Sequence, residues 1–216
     1  MQIFKTSWRF KMGLDIDGIN KIKILKGFKG FLNTSKEVEI NTDTDTIYIK
    51  DITQSEKLYE NWVADAGSGT SMSGQGNEQA AQPFTLGNTG AEINCYLQQI
   101  NIYISYVDGT PPTEVVEIKK ADAAHKPTGN ALSTGEFTPV GTGWYEVTMD
   151  KKIELEIETE YCIVYRSKAG AGDSSNTAGW HWNNATGYTG GTGWESTDGG
   201  STWTAANTYW FKIYAI

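Results

Sequence analysis

Apolar and polar residues alternate with a period of two along most of this 216-residue chain, and almost nowhere with the period of a helix. In the first 65 residues the pattern is plain in "KIKILKGF", "EVEI" and "TIYIK", where Ile22 and Ile24, and Ile47 and Ile49, stand two apart. From residue 81 it strengthens, through "QPFTL", "INCYLQQINIYISYV", "TEVVEIKKA", "WYEVTM", "IELEI", "EYCIVYRSK" and the terminal "TYWFKIYAI". Successive side chains of a strand point to opposite faces, so each stretch reads as a strand with one buried face. Turn-forming clusters such as "DGTPP" and "HKPTGN" separate them. The pattern predicts an all-β chain: a jelly-roll-like antiparallel β-sandwich over 81–216, preceded by a small N-terminal β region over 1–65. "ITQSEKLYENW" reads equally as a short helix or as the last strand of that first region. Residues 66–80, "AGSGTSMSGQGNEQA", carry no periodic apolar signal and read as a Gly/Ser-rich linker or long loop. In "INCYLQQINIYI" the apolar set steps from 93/95/97 to 100/102/104, which predicts a bulge or short turn at Gln98-Gln99.

Composition supports β structure over disorder. Aromatic residues make up 12% of the chain, with eight Trp and eleven Tyr, against five Pro. The formal charge of −8 is unevenly spread. Residues 1–36 hold eight Lys/Arg against two Asp, whereas the remainder holds ten against twenty-four Asp and Glu. A basic end can meet an acidic partner; it can equally be the solvated surface of a small β region. "MQIFKTSWRFKMGL" lacks the continuous apolar stretch of a secretory signal, and no run approaches the roughly 18 apolar residues of a membrane span. The expectation is a chain made and folded in a cytoplasm, with Cys95 and Cys162 as buried free thiols on strands.

One stretch has a nameable pattern. "STDGGSTW" reads Ser196-x-Asp198-x-Gly200-x-Thr202-Trp203 and resembles the Asp-box of sialidases and other secreted β proteins. Its Asp, Gly and hydroxyl residues suit a self-stapled reversal, with Asp198 accepting backbone hydrogen bonds and Trp203 as an apolar cover. The expected role is structural. Sialidases are propellers, and six blades of roughly 40–50 residues each exceed this chain. One box is present, and two arginines, Arg9 and Arg166, stand where a three-arginine carboxylate clamp is needed.

Over 81–216 the elements "AQPFTL", "ADAAHKPTG", "TEYCIVYRS", "GDSSNTAGWHWN", "STDGGSTW" and "FKIYA" resemble a jelly-roll module common in phage and metagenomic viral structural proteins and in extracellular carbohydrate-associated proteins. The first 65 residues resemble no named family.

Chemistry is thinly represented. His125 sits in a loop, and His181 lies between Trp180 and Trp182, on the opposite face by alternation. No G-x-S-x-G, H-E-x-x-H or C-x-x-C occurs. Glu154, Glu156 and Glu158 alternate with Ile153, Leu155 and Ile157, the pattern of a solvated sheet face rather than a glycosidase pair. "DIDGIN" and "NTDTDT" hint at calcium without an EF-hand spacing. No catalytic residue, cofactor or metal ligand is assigned. "GWHWNNATGYTGGTGWES" places rings among amides and hydroxyls. If the module stacks sugars, Trp194 and Tyr188 are the candidate rings and Trp180 and Trp182 the core; the competing reading puts all four to packing.

Together these features lead to an expectation of a non-enzymatic virion structural protein, a capsid decoration or head-fibre-like surface protein of a tailed phage or related virus. Its N-terminal region, with Lys21, Lys23, Lys26 and Lys29 as anchoring charges, would meet a major capsid or tail protein. The jelly roll would face outward, in a homo-oligomer with a trimer favoured. The rival is a carbohydrate-binding adhesin module, a tail-fibre tip or secreted domain, with cell-surface glycans as partners.

Overall fold

The computed structural model describes residues 58–63, 75–87, 95–183 and 188–215 in full, and elsewhere the backbone of short strands. The chain divides into two compact units, Met1–Ser55 and Glu56–Ile216. In the first, β1 (Leu14–Ile16) pairs antiparallel with β2 (Ile22–Ile24), and β3 (Lys36–Asn41) with β4 (Thr46–Asp51).

The second unit starts earlier than the sequence pattern suggests. β5 (Lys57–Trp62), assigned above to the N-terminal region, pairs with β17 (Phe211–Ala215), and its Tyr59 lies in the core. β6 (Ser71–Ser73), inside the expected linker, pairs with β13 (Thr177–Asn183). The domain boundary therefore falls at Ser55/Glu56, not around 66–80. A three-residue flanking strand is held by its backbone ladder, which leaves no apolar period to read. β5 is an edge strand whose pairing is shifted between Ile213 and Tyr214, so its polar residues are tolerated.

Two antiparallel sheets make up this unit. One runs β10 (Pro127–Phe137), β9 (Glu114–Ala121), β12 (Glu160–Ser167), β7 (Gln79–Thr85), β14 (Trp194–Ser196), β15 (Thr204–Ala205). The other is built on β8 (Cys95–Asp108). β11 (Gly143–Leu155) lies along one side of β8; β17 covers the other side over Leu97–Ile102, and β13 takes over from Ile104 to Asp108. β5 lies beyond β17, and β16 (Thr208–Tyr209) pairs with β13. The chain passes back and forth between the two layers, as in a jelly roll. The fold is an all-β sandwich.

The layers meet over one apolar cluster. Ile100, Ile102 and Ile104 of β8, Val147 of β11, and Phe211 and Ile213 of β17 pack with Phe84, Val116, Ile118, Ile163 and Tyr165 of the first sheet. All are inaccessible or nearly so, and each large side chain withdrawn from water contributes about 1.5–3 kcal/mol. Rings bridge the layers: Phe84 to Phe211 at 6.0 Å and Tyr165 to Trp180 at 6.1 Å. The Tyr165 hydroxyl donates to Ala178 O at 2.9 Å, which satisfies the phenol without opening the core. At one edge β10 comes so close to β11 that a Cβ on Gly135 would stand 2.7 Å from Thr148 O. Only glycine fits there.

The expected irregularity at Gln98-Gln99 is present within a continuous β8. Leu97 and Ile100 are both buried while Gln98 between them is exposed. The register jumps at this point on both neighbours, between Thr148 and Ile153 of β11 and between Tyr214 and Ala215 of β17.

Candidate functional site

The Asp-box octet joins β14 to β15. Ser196, buried on β14, accepts from the Gly200 amide at 2.9 Å and donates to Asp198 Oδ1 at 2.8 Å. Asp198 Oδ1 accepts the Thr202 amide at 2.8 Å, and Oδ2 accepts the Thr202 hydroxyl at 2.6 Å. These bonds favour the ionised carboxylate and hold its pKa down at about 2, Thr202 contributing most. Gly199 and Gly200 both take positive φ, 73° and 84°, and the Gly199 amide reaches Asn77 O at 3.0 Å. Every polar group of Asp198 is thus occupied by the turn itself.

Trp203 and Trp194 cover a small apolar cluster of Ala81, Cys162 and Val164, distinct from the main core. These three alternate with core residues along β7 and β12, so the cluster lies on the outer face of the first sheet. Lys126 Nζ stands 4.9 Å from the centre of the Trp194 ring. Trp194 is therefore half-buried and already capped by a cation.

Tyr188 lies elsewhere. It is a core residue, 8% exposed, packed edge-on to Phe211 at 5.5 Å and against Trp62 at 5.6 Å. Its burial withdraws it from a sugar-stacking role and leaves Trp194 the more exposed of the two candidate rings. Trp180 is fully buried, with Nε1 donating to Trp210 O at 2.7 Å, and Trp182 packs against the core from its margin.

The structure assembles a different group of rings. Tyr103 of β8, Trp144 of β11, His181 of β13 and Trp210 just before β17 meet on the outer face of the second sheet. Tyr103 lies 5.4 Å from Trp144, 5.6 Å from His181 and 5.5 Å from Trp210. Trp144 and Trp210 are nearly parallel, 21° apart with centres at 6.5 Å, and Lys212 Nζ sits 4.2 Å over Trp144. His181 meets Trp210 edge-on at 4.4 Å; burial lowers its pKa, so it is neutral at pH 7. The alternation that set His181 opposite to Trp180 and Trp182 was the one sequence signal of this face.

The remaining polar groups serve the scaffold. Arg166 grips Glu117 at 2.6 Å; burial would raise the Glu117 pKa, but Arg166 and Lys119 together bring it below its usual value. His125, at φ +64°, pairs with Glu160 at 2.8 Å on the surface. Asp122 accepts the amides of Ala124 and Lys126, and Asp173 that of Ser175. Glu154, Glu156 and Glu158 are exposed; β11 ends at Leu155, and Glu158 lies beyond it at φ +59°. Cys95 and Cys162 are free and buried in separate clusters. Burial pushes the Cys95 thiol up to about 12 and Cys162 higher still. Glu114 is fully buried beside Tyr165, and burial, partly offset by the Tyr165 phenol, raises its pKa to about 8.

Among the described residues no group of His, Cys, Asp and Glu could hold a metal ion, and no helix is long and apolar enough to cross a membrane. Lys21, Lys26 and Lys29 lie outside the described residues, Lys23 is placed only as backbone opposite Asp15, and most of "DIDGIN" and "NTDTDT" is likewise outside.

No known protein family and no curated protein matches the chain. Among solved structures it is similar to the clostridial cysteine protease Cwp84 after propeptide cleavage, at 13% identity and a TM-score of 0.46. That likeness takes in 80% of this chain and 44% of the protease chain, and is too slight to carry an argument.

Proposed function

We propose that this chain is a non-enzymatic surface-display protein, specifically a virion structural protein of the capsid-decoration or head-fibre kind. The observation that carries the reading is the commitment of the sandwich's reactive side chains to structure. Asp198, Asp122 and Asp173 are consumed in holding loop amides, Arg166 is consumed by Glu117, and both thiols are buried. A sandwich whose loops are stapled by their own carboxylates is suited to standing rigidly on a particle. Supporting it are the resemblance of residues 81–216 to viral jelly-roll modules and the charge split along the sequence, basic in residues 1–36 and acidic beyond. The basic segment would be the attachment to a capsid or tail protein, in a trimer.

Co-sedimentation of the purified full chain with particles from its source tests the reading. Wild type is expected to pellet with the particles, and a variant with Lys21, Lys23, Lys26 and Lys29 changed to Glu to be released first at low salt, where charges act beyond about 10 Å. Antibody labelling that never marks a particle overturns the proposal.

A further inference from the structure

Sheet register lines up the outer face of the second sheet into three cross-strand rows. Trp144 lies opposite Tyr103 on β11 and β8, and Trp210 precedes Phe211, whose partner is Ile102, so Trp210 extends the row on the far side of Tyr103. The next row reads Glu146, Asn101, Lys212 and Asn61, partnered in that order across β11, β8, β17 and β5. The third reads Thr148, Gln99, Tyr214 and Leu58 by the same pairings. An aromatic row thus lies beside a row of carboxylate, amide and ammonium groups and a row of hydroxyl, amide and phenol.

We propose that this face is a binding site for a neutral sugar, a pyranose ring lying against the Trp144–Tyr103–Trp210 cluster and its hydroxyls reaching Glu146 and Lys212. Three arguments converge on that ligand. The nearly parallel indoles of Trp144 and Trp210 stand 6.5 Å apart with Tyr103 against both, a cluster the size of one sugar ring, whose C–H face suits such apolar surface, and Lys212 Nζ, 4.2 Å over Trp144, is placed to donate to a hydroxyl. The adjoining groups both donate and accept, as hydroxyls require. The charges also balance: Glu146 and Lys212 cancel within the site, on a chain of net charge −8, which suits an uncharged ligand and disfavours a phosphate or an acidic sugar. A protein partner fits less well, since Leu58 at the far margin is the one aliphatic residue in the three rows.

The test is an array of neutral and acidic oligosaccharides probed with the full chain, followed by tryptophan-fluorescence titration of the best neutral binder. Trp144→Ala removes a ring outside the core cluster and is expected to weaken binding by roughly tenfold or more, about 1.4 kcal/mol per factor of ten. Glu146→Gln, which keeps shape, should weaken it by a smaller factor, and Trp194→Ala, on the other sheet, should leave it unchanged. Circular dichroism melts of each variant separate lost binding from lost fold. The proposal is overturned if no neutral glycan binds at millimolar concentration, if binding follows Trp194 and not Trp144, or if acidic glycans or a protein alone bind this face. Each of those failures leaves the particle-association result untouched.

Discussion

Thr202 holds Asp198 through two bonds at once, its amide on Oδ1 at 2.8 Å and its hydroxyl on Oδ2 at 2.6 Å, across a reversal four residues long. Both acceptors vanish in Asp198→Ala, so that variant is expected to melt at a lower temperature than wild type with the fold retained. Because the folded carboxyl has its pKa depressed from 3.8 to about 2, its contribution is present above the unfolded value and is lost as pH falls through the folded one. Thermal melts from pH 5 to pH 2 should therefore show the wild-type advantage over Asp198→Ala shrinking toward the acid end. A constant difference across that range would mean the turn does not depend on ionised Asp198.

Glu114 should show the opposite sign. Its pKa is raised from 4.5 to about 8 by burial, so folding takes up a proton in between. The stability this proton supports is complete below pH 4.5 and is lost as pH rises toward 8. Glu114→Gln imitates the neutral acid and should flatten that part of the pH–stability profile, which denaturant titration at pH 5, 6.5 and 8 would measure. Equal slopes in wild type and variant would refute the assignment.

Both thiols should resist alkylation in the folded protein. Burial keeps Cys95 and Cys162 protonated, and the thiolate is the reactive form. Mass spectrometry after iodoacetamide at pH 7.5 should find both unmodified in native protein and both modified after denaturation. They belong to separate clusters, so a Cys95–Cys162 crosslink in freshly isolated material would contradict the fold.

Truncation separates the two possible boundaries. A fragment beginning at residue 56 keeps β5 and β6 and should melt cooperatively. One beginning at residue 81 removes both, uncovers the edge of β17 beside Phe211 and Ile213, and cuts into β7. It should melt at lower temperature and aggregate more readily, as an opened apolar edge does. Equal melting of the two fragments would return the boundary to the Gly/Ser-rich segment.

These cases show where sequence reading held and where it stopped. Period-two alternation exposes any strand that buries one face, which made the all-β class and the step at Gln98-Gln99 legible. The strand alternative for β5 was legible but not its place in the second unit, and β6 escaped altogether, because flanking strands are held by backbone pairing. Tyr188 was expected to pack, but its place in the main core was not legible among Gly and Thr; Gly190 follows the ring so closely that a Cβ there would fall 2.3 Å from it. The aromatic row was illegible for a different reason. Tyr103, Trp144, His181 and Trp210 come from four separate segments, and only the pairing register puts them side by side.

The extra residue at Gln98-Gln99 works as a phase shifter for the whole second sheet. Upstream of it the odd-numbered positions of β8 face inward; downstream the even-numbered ones do, which puts Gln99, Tyr103 and the nearly covered Asn101 on the face away from the apolar core. Core and outer face are therefore written in the same stretch of chain and cannot change phase separately. Removing one glutamine would drive the isoleucines outward and pull the polar row into the interior. A side chain on the outer face can be exchanged without moving its neighbours to the other face, whereas a change in the length of this strand moves them all.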